Sequence, residues 1–370
     1  MDKKPIRMVI VGCGNIGQAC RDVIYDNEKA FHDMKLVGVV SRDPARAMKS
    51  FSHSPVFNFN DEIGWKSLNA DVALLCGGSK EDLFGDEEKV REILKDENRV
   101  ARMAKKGGRD LLALGQGPYF AQHFPVTACT FDDHPRIEQY HDVLDAVARP
   151  RKNLAVLSAG WDPGEFSNAA IRFDALLVGG KPQRFYGLTE RGGKSMGHTN
   201  ALLGVPGVKR AIQYTHAIPE IIERARRGEP ISDDEKTVTR EAILVLKNDT
   251  PEERARVEST VRNMKGYFTG YKTTVKFVND NTFQKEHADA KQHDGVVIAT
   301  GKTGPYNARY ELSCVFESNA HGTAAIMVPT ARGAFRLRAE GKIGACLPAE
   351  IPDLYRSGHS KRQLLAQRFI

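Results

Sequence analysis

The chain has 370 residues, 41% hydrophobic and 27% charged, which excludes a disordered polymer, a collagen and a membrane bundle. It has no run of about 18 apolar residues to span a bilayer, and its first apolar stretch (8–11) is short of the roughly 7–15 residues of a secretory core, so a cytosolic protein of two domains, or one large one, is expected. The net charge of +7 is dispersed among interleaved acids and bases with no long basic run, which argues against nucleic acid as a partner while leaving an anionic small molecule attractive.

Residues 7–12 (RMVIVG) read as a short strand. Gly12-Cys13-Gly14-Asn15-Ile16-Gly17 follows at once and opens a helical pattern to about Tyr25. In that position a GxGxxG fingerprint has a physical reading. Gly12 allows the tight turn, Gly14 lets the backbone approach a pyrophosphate, and Gly17 lets helix pack on strand. The helix N-terminus meets the phosphates. Residues 35–40 (KLVGVV) form a second strand, ending in Ser41-Arg42 rather than the acid usual at an NAD ribose. A hydroxyl and a guanidinium suit a 2′-phosphate, which favours NADP. Asp43 directly after them is the residue that pulls the other way.

Residues 70–76 (ADVALLC) and 153–158 (NLAVLS) are further apolar strands. Continuous apolar strands alternating with helical stretches predict a parallel sheet covered on both faces. Residues 80–110 differ: 18 of the 31 are charged, with Val90, Ile93, Leu94 and Val100 as a thin apolar stripe. They read as an exposed, two-part helix leaving through Gly107-Gly108. Beyond about Gly160 the patterning changes. Residues 238–247 alternate, with Arg240 in the row of Val238, Ala242, Leu244 and Leu246, and 271–278 and 309–317 show the same period. Thr250-Pro251-Glu252-Glu253 starts a helix to about Met264. From about Ala331 the chain reads as helical, then irregular. The expected fold is α/β: a doubly wound, Rossmann-type dinucleotide domain over 1–158, to which 331–370 return. An α+β substrate and dimerisation domain is expected over 159–330.

Several chemistries are set aside. The six cysteines lack ligand spacing and read as reduced, and His287 with His293 is a weak pair, so no metal is expected. Gly192-Gly193-Lys194-Ser195 lacks the earlier glycine and feeding strand of a P-loop. No Gly-x-Ser-x-Gly elbow is present.

The substrate half carries Phe120-Ala121-Gln122, Thr130-Phe131-Asp132-Asp133-His134, residues 158–164 (SAGWDPG) and Gln213-Tyr214-Thr215. With Cys76-Gly77-Gly78-Ser79, Ser195-Met196-Gly197-His198, Val205-Pro206-Gly207-Val208, His293 with Gly295, and Ser318-Asn319, these resemble the meso-diaminopimelate dehydrogenase family over nearly the whole chain. The resemblance implies a homodimeric, NADP-linked amino acid dehydrogenase. Its reaction oxidises the D-centre of meso-2,6-diaminopimelate, giving L-2-amino-6-oxopimelate and ammonia. It implies that Asp132 and Asp162 hold the reacting amino group and that Trp161 lies near the reacting carboxylate end. Phe185-Tyr186, Met196 and Gly197 line the substrate, and Thr215, Arg240, His293 and Asn319 grip the distal end. Cys76, Gly77 and Ser79 join Gly12, Gly14, Asn15, Ile16, Gly17, Ser41 and Arg42 at the cofactor.

The residue chemistry agrees with such a ligand. A diamino dicarboxylate needs acids for its ammonium groups and bases or amides for its carboxylates. Arg240 in an apolar row requires an anionic partner, either an internal acid or a ligand carboxylate. His293 and Asn319 taken alone read as a structural histidine and a turn residue, Trp161 as core, and Asp162 as a turn acid before proline. Three departures from the family stand out, one being the stretch after His198, Thr-Asn-Ala-Leu-Leu-Gly, where the family has Ser-Asp-Ala followed by basic residues. Residues 84–116 look like an insertion, expected to be peripheral to the chemistry. Lys291-Gln292 precede His293 where the family has Met-Pro, and Asp294 follows it where the family has glycine. A dehydrogenase for another diamino acid or a D-amino acid, and a non-catalytic NADP-binding protein, remain as alternatives.

Overall fold

The structure is a computed structural model that describes residues 4–77, 92–93, 95–131, 136–177 and 179–369. It divides into two units, Met1–Asn168 with Ala320–Ile370, and Ala169–Asn319. Among the described residues no helix is long and apolar enough to cross a membrane.

The first unit is built on a seven-stranded sheet of β1 (Ile6–Val11), β2 (Met34–Ser41), β3 (Val56–Asn58), β4 (Val72–Leu75), β5 (Val126–Cys129), β6 (Leu154–Val156) and β14 (Gly344–Cys346). The order is β14-β6-β5-β4-β1-β2-β3, and every pairing is parallel. The apolar runs are continuous because both faces are covered. Val9, Val11, Ala73 and Leu75 pack on one side, with Leu111, Leu114, Phe120, Tyr140 and Val147. Met8, Ile10, Val72 and Leu74 pack on the other, with Cys20 and Ile24 of α1 (Asn15–Tyr25) and Met327, Val328 and Ala331 of the helix Asn319–Ala339. That last helix begins well before Ala331, with Pro329 inside it. The strand order reverses between β1 and β4, and ligands of such sheets bind there, beyond the carboxyl ends of the strands.

The charged segment is not peripheral. Its described part includes the helix Glu97–Lys106 and a 3₁₀ turn Arg109–Leu114. Ile93, Ala104, Leu111 and Leu114 are buried in the first core cluster. Few apolar residues suffice because each points the same way and the charges lie on the opposite side.

The second unit holds a mixed four-stranded sheet, order β11-β10-β9-β8, of β8 (Gly193–Lys194), β9 (Val208–Ala217), β10 (Val238–Leu246) and β11 (Thr273–Phe277). A three-stranded antiparallel sheet, order β13-β12-β7, is made by β7 (Gln183–Tyr186), β12 (His293–Thr303) and β13 (Tyr306–Phe316). On one face of β10, Ala242, Leu244 and Leu246 pack with Leu202, Val257, Val261 and Phe268; on the other, Ile243 and Val245 pack with Ile212, Tyr214 and Phe283. Thr250 caps the helix Pro251–Arg262, its side chain accepting from the Glu253 N–H at 3.2 Å.

Candidate active site

The glycine turn joins β1 to α1 at the reversal point. Gly12 has φ +100°, and a Cβ there would press on the backbone of Cys76 and Gly77 after β4. A Cβ on Gly17 would overlap the Gly12 carbonyl oxygen. Gly14 is different: a Cβ there would meet nothing within 4 Å. Gly12 and Gly17 are therefore demanded by packing, whereas Gly14 keeps an open surface. Gly14 is also the N-cap of α1, which has no side-chain cap, and Asn15 and Ile16 form its first turn. The orphan N–H groups of that turn suit a pyrophosphate. Cys76 is buried, and a Cβ on Gly77 would run into the buried Gln116 amide. Ser79 lies outside the described residues.

Ser41 ends β2 buried, its hydroxyl donating to the Asp43 carbonyl and accepting from the Asp43 N–H, both at 3.1 Å. Asp43 in turn caps the helix Pro44–Ser50, accepting from Arg46 N–H at 3.0 Å. The acid that complicated the sequence reading is thus a helix cap. Arg42 between them is exposed, its guanidinium 5.5 Å from the Phe59 ring centroid. Arg42, Asn58, Phe59, Asn60, Leu112 and Gln116 line a cavity of about 410 Å³.

Asp162 and Trp161 follow β6 on a tight loop. A Cβ on Gly164 would overlap the Gly160 carbonyl, so the loop closes only with glycine there. Ser158, at φ +56°, donates from its hydroxyl to the Phe131 carbonyl at 2.8 Å, and Ala159 N–H donates to Cys129 O at 2.8 Å. The loops after β5 and β6 are thereby tied together. Trp161 is buried edge-on to Phe166 at 5.1 Å, and Asp162 is half-buried. Asp132 lies outside the described residues, directly after Phe131.

In the second unit the sheet register builds a row. Gly193 on β8 faces Thr215 on β9, Thr215 faces Arg240 on β10, and Arg240 faces Thr273 on β11. The His293 imidazole lies against Gly193, where a Cβ would strike it. Arg240 is buried, its guanidinium 3.8 Å from the Tyr271 ring centroid and 5.7 Å from that of Phe268. Its Nε and Nη1 have no hydrogen-bond partner among the described residues. Burial pushes its pKa down, with Tyr271 opposing.

Two neutral histidines accompany it. Burial, then the Arg240 and His293 charges, push the pKa of His198 down to about 3. Burial pushes that of His293 down to about 4, against the Asp294 contacts. His293 Nδ1 lies 2.9 Å from the Asp294 N–H nitrogen and 3.2 Å from the Asp294 carbonyl oxygen. Ser195 Oγ lies 2.7 Å from His198 Nδ1 and accepts from His198 N–H at 3.4 Å. His198 Nε2 is buried with no partner among the described residues.

Tyr186 is edge-on to His293 at 6.5 Å, while Phe185 points the other way into a core with Ile221, Ile222 and Val296. Phe185 is therefore a packing residue beneath Tyr186 rather than a lining one. Met196 and Gly197 open the helix Met196–Leu203, and a Cβ on Gly197 would meet nothing within 4 Å. Asn319 donates from Nδ2 to Lys194 O at 3.3 Å. The Asp294 carboxylate accepts from the Leu188 and Thr189 N–H groups at 2.7 and 3.1 Å, so it shapes the turn after β7. The arrangement offers buried donors of positive or neutral charge, a chemistry for a carboxylate.

Residues 160–318 match the diaminopimelic acid dehydrogenase C-terminal domain family. The chain is 34% identical to meso-diaminopimelate D-dehydrogenase of Ureibacillus thermosphaericus over 94% of each chain. It belongs to the meso-diaminopimelate dehydrogenase family. The structure is similar to that of the C. glutamicum diaminopimelate dehydrogenase in complex with diaminopimelate, with TM-score 0.80 and 30% identity over 99% of this chain and all of that one. It is also similar to an engineered D-amino acid dehydrogenase bound to NADP+, with TM-score 0.76 and 30% identity over 99% and 100% of the two chains.

Sequence reasoning missed His198, Tyr271 and Phe268 as neighbours of Arg240, and Gln116 and Leu112 at the cavity beside Arg42. The one available signal for His198 was its place three residues after a helix-capping serine.

Proposed function

We propose that the protein catalyses the NADP-dependent oxidative deamination of meso-2,6-diaminopimelate at its D-centre. The overall conversion takes up water and yields L-2-amino-6-oxopimelate, ammonia, NADPH and a proton. The observation that carries this reading is the buried Arg240, whose Nε and Nη1 lack hydrogen-bond partners among the described residues, beside two histidines that burial keeps neutral. Removing a guanidinium from water without an acceptor is costly, so a ligand carboxylate is the natural complement. Thr215, His293, His198 and Asn319 add donors for the distal end, and Tyr186 and Met196 supply bulk.

Asp132 and Asp162 are assigned to the ammonium of the reacting centre, and Trp161 to the side of its carboxylate. Either acid can take the proton that the ammonium gives up before the centre is oxidised. The open face of Gly14, the uncapped start of α1 and the cation at Arg42 fit a dinucleotide with a 2′-phosphate. Gly12, Gly14, Asn15, Ile16, Gly17, Arg42, Cys76, Gly77 and Ser79 would hold it, with Ser41 shaping the turn. When bound, the cofactor supplies the hydride acceptor. The protein's own task is to fix the D-centre in one orientation by holding the other end.

We assign the active form as a homodimer. The β13 edge strand, with Tyr306 and Val315 exposed, supports this, and a sedimentation measurement that finds only monomer in the active enzyme would reject it. The function is tested by NADP reduction at alkaline pH with meso-, LL- and DD-diaminopimelate side by side. Turnover of the meso isomer well above the LL isomer is expected. Faster turnover of a simple D-amino acid than of the meso isomer would favour the D-amino acid alternative.

A further inference from the structure

The segment that the family resemblance sets aside as an insertion returns to the sheet at the 3₁₀ turn Arg109–Leu114, whose Leu112 lines the cavity beside Arg42 and whose Arg109 donates to Asn60 of the same lining. We infer that Arg109 is a second binding residue for the 2′-phosphate of the cofactor, so that the inserted segment helps set the preference for NADP. The inference rests on the cofactor reading proposed above.

Its basis is geometric. The guanidinium groups of Arg42 and Arg109 lie 5.5 and 6.0 Å from the centroid of the same ring, Phe59. Arg109 is pre-positioned: its Nη2 donates to Asn60 Oδ1 at 2.6 Å and its Nη1 to Glu62 Oε1 at 3.3 Å. Glu62 stays ionised, its pKa held down to about 2 by Lys66 and then Tyr119. Asn58 ends β3 and Phe59 and Asn60 follow it, at the carboxyl edge where this fold takes ligands. Leu112 and Gln116, from the same stretch as Arg109, form the opposite part of the lining.

A dianionic phosphate is the ligand class that both guanidiniums can engage at once, Arg109 while it stays paired with Glu62. A guanidinium has five donors in a planar fork, so Arg109 can keep Asn60 and still offer N–H groups to a phosphate. With Asp43 turned to its helix cap, Ser41 used in the turn and Arg42 at the end of β2, the inserted segment supplies a second cation beside the same ring.

The test is calorimetric binding of adenosine 2′,5′-bisphosphate and of 5′-AMP to the full chain, in wild type, Arg109→Met and Arg109→Lys. Arg109 is about half exposed, so the fold should tolerate both changes, and an unchanged thermal midpoint checks this. In Arg109→Met, affinity for the bisphosphate should fall about tenfold, or about 1.4 kcal/mol, with AMP within about twofold. Arg109→Lys should recover part of the loss. Equal losses for both ligands would make Arg109 an adenine or ribose contact, and no loss would make it a surface residue; either overturns the inference. A wild type that binds both ligands equally would fail the cofactor reading itself and this inference with it. A preference that is lost in Arg42→Ala but kept in Arg109→Met would fail the inference alone.

Discussion

Thr215 and Arg240 face each other across β9 and β10, and the Arg240 guanidinium lies 3.8 Å from the Tyr271 ring centroid. Because side chains alternate along a strand, the same register that sends Ala242 and Leu244 into the core sends Arg240 to the end of that row. The cation is thus held by the sheet itself and has little freedom to turn to solvent.

Arg240→Met should raise the Michaelis constant for meso-diaminopimelate strongly. Losing one partner of a desolvated charge pair typically costs about 2–5 kcal/mol. D-alanine, which has no distal carboxylate, should be handled nearly as by wild type. Steady-state kinetics with both substrates decide, because a folding defect would harm both. Equal handling of meso-diaminopimelate by the variant and wild type would make Arg240 a structural residue.

Gly14→Ala and Gly17→Ala should separate ligand space from packing. The first meets open space at a φ of −74° and should leave stability within about 0.5 kcal/mol while weakening cofactor binding. The second collides with the Gly12 carbonyl and should destabilise the fold outright. Denaturant midpoints together with a dinucleotide titration would show the split.

Stability should fall as the solution is acidified below about pH 6.5. His198 and His293 have pKa values of about 3 and about 4, below the ordinary 6.5. The unfolded chain therefore binds protons that the folded chain refuses. Each histidine costs up to about 1.4 kcal/mol per pH unit between its unfolded and folded pKa. Glu62 and Glu241, both lowered to about 2, act in a lower window, their stabilisation being lost as pH falls below about 4.5. Urea midpoints at pH 7 and 5 should differ in wild type and differ less in His198→Gln. An unchanged slope in the variant would remove His198 as a cause.

Leu111→Ala or Leu114→Ala should cost about 2–5 kcal/mol, as for other fully buried leucines. Replacing residues 84–115 by a Gly/Ser linker should therefore lower the thermal midpoint sharply. A linker variant as stable as wild type would restore the peripheral reading of this segment.

Much of the first unit was legible because buried parallel strands write themselves as unbroken apolar runs; β1, β2, β4 and β6 are of this kind. The strands that escaped, β3, β5 and β14, have only three or four residues, and two of them begin directly after Pro55 and Pro125 or between glycine and cysteine, so no period can be read. Residues 80–110 misled for the opposite reason. High charge hid the apolar Ile93 and Val100, which pack into the first core cluster, while Val90 and Leu94 lie outside the described residues and Leu111 and Leu114 lay just past the window. At the site, the glycine fingerprint and Arg240 carried their own physical signals. The neutrality of His198 did not, since burial and a nearby guanidinium are properties of the fold.

The first unit is discontinuous in the chain: β14 pairs with β6, and the helix Asn319–Ala339 completes the core beneath β1 and β4. A ribosome therefore delivers the whole second unit before it delivers the last strand and covering helix of the first. The nucleotide-binding sheet must wait, with one apolar face uncovered, while 151 residues are threaded through its middle (169 to 319) and take shape. A nascent chain arrested between about residues 320 and 340 would hold a finished second unit on an unfinished first. The C-terminal 51 residues, which carry none of the proposed chemistry, thus govern when the enzyme comes into being.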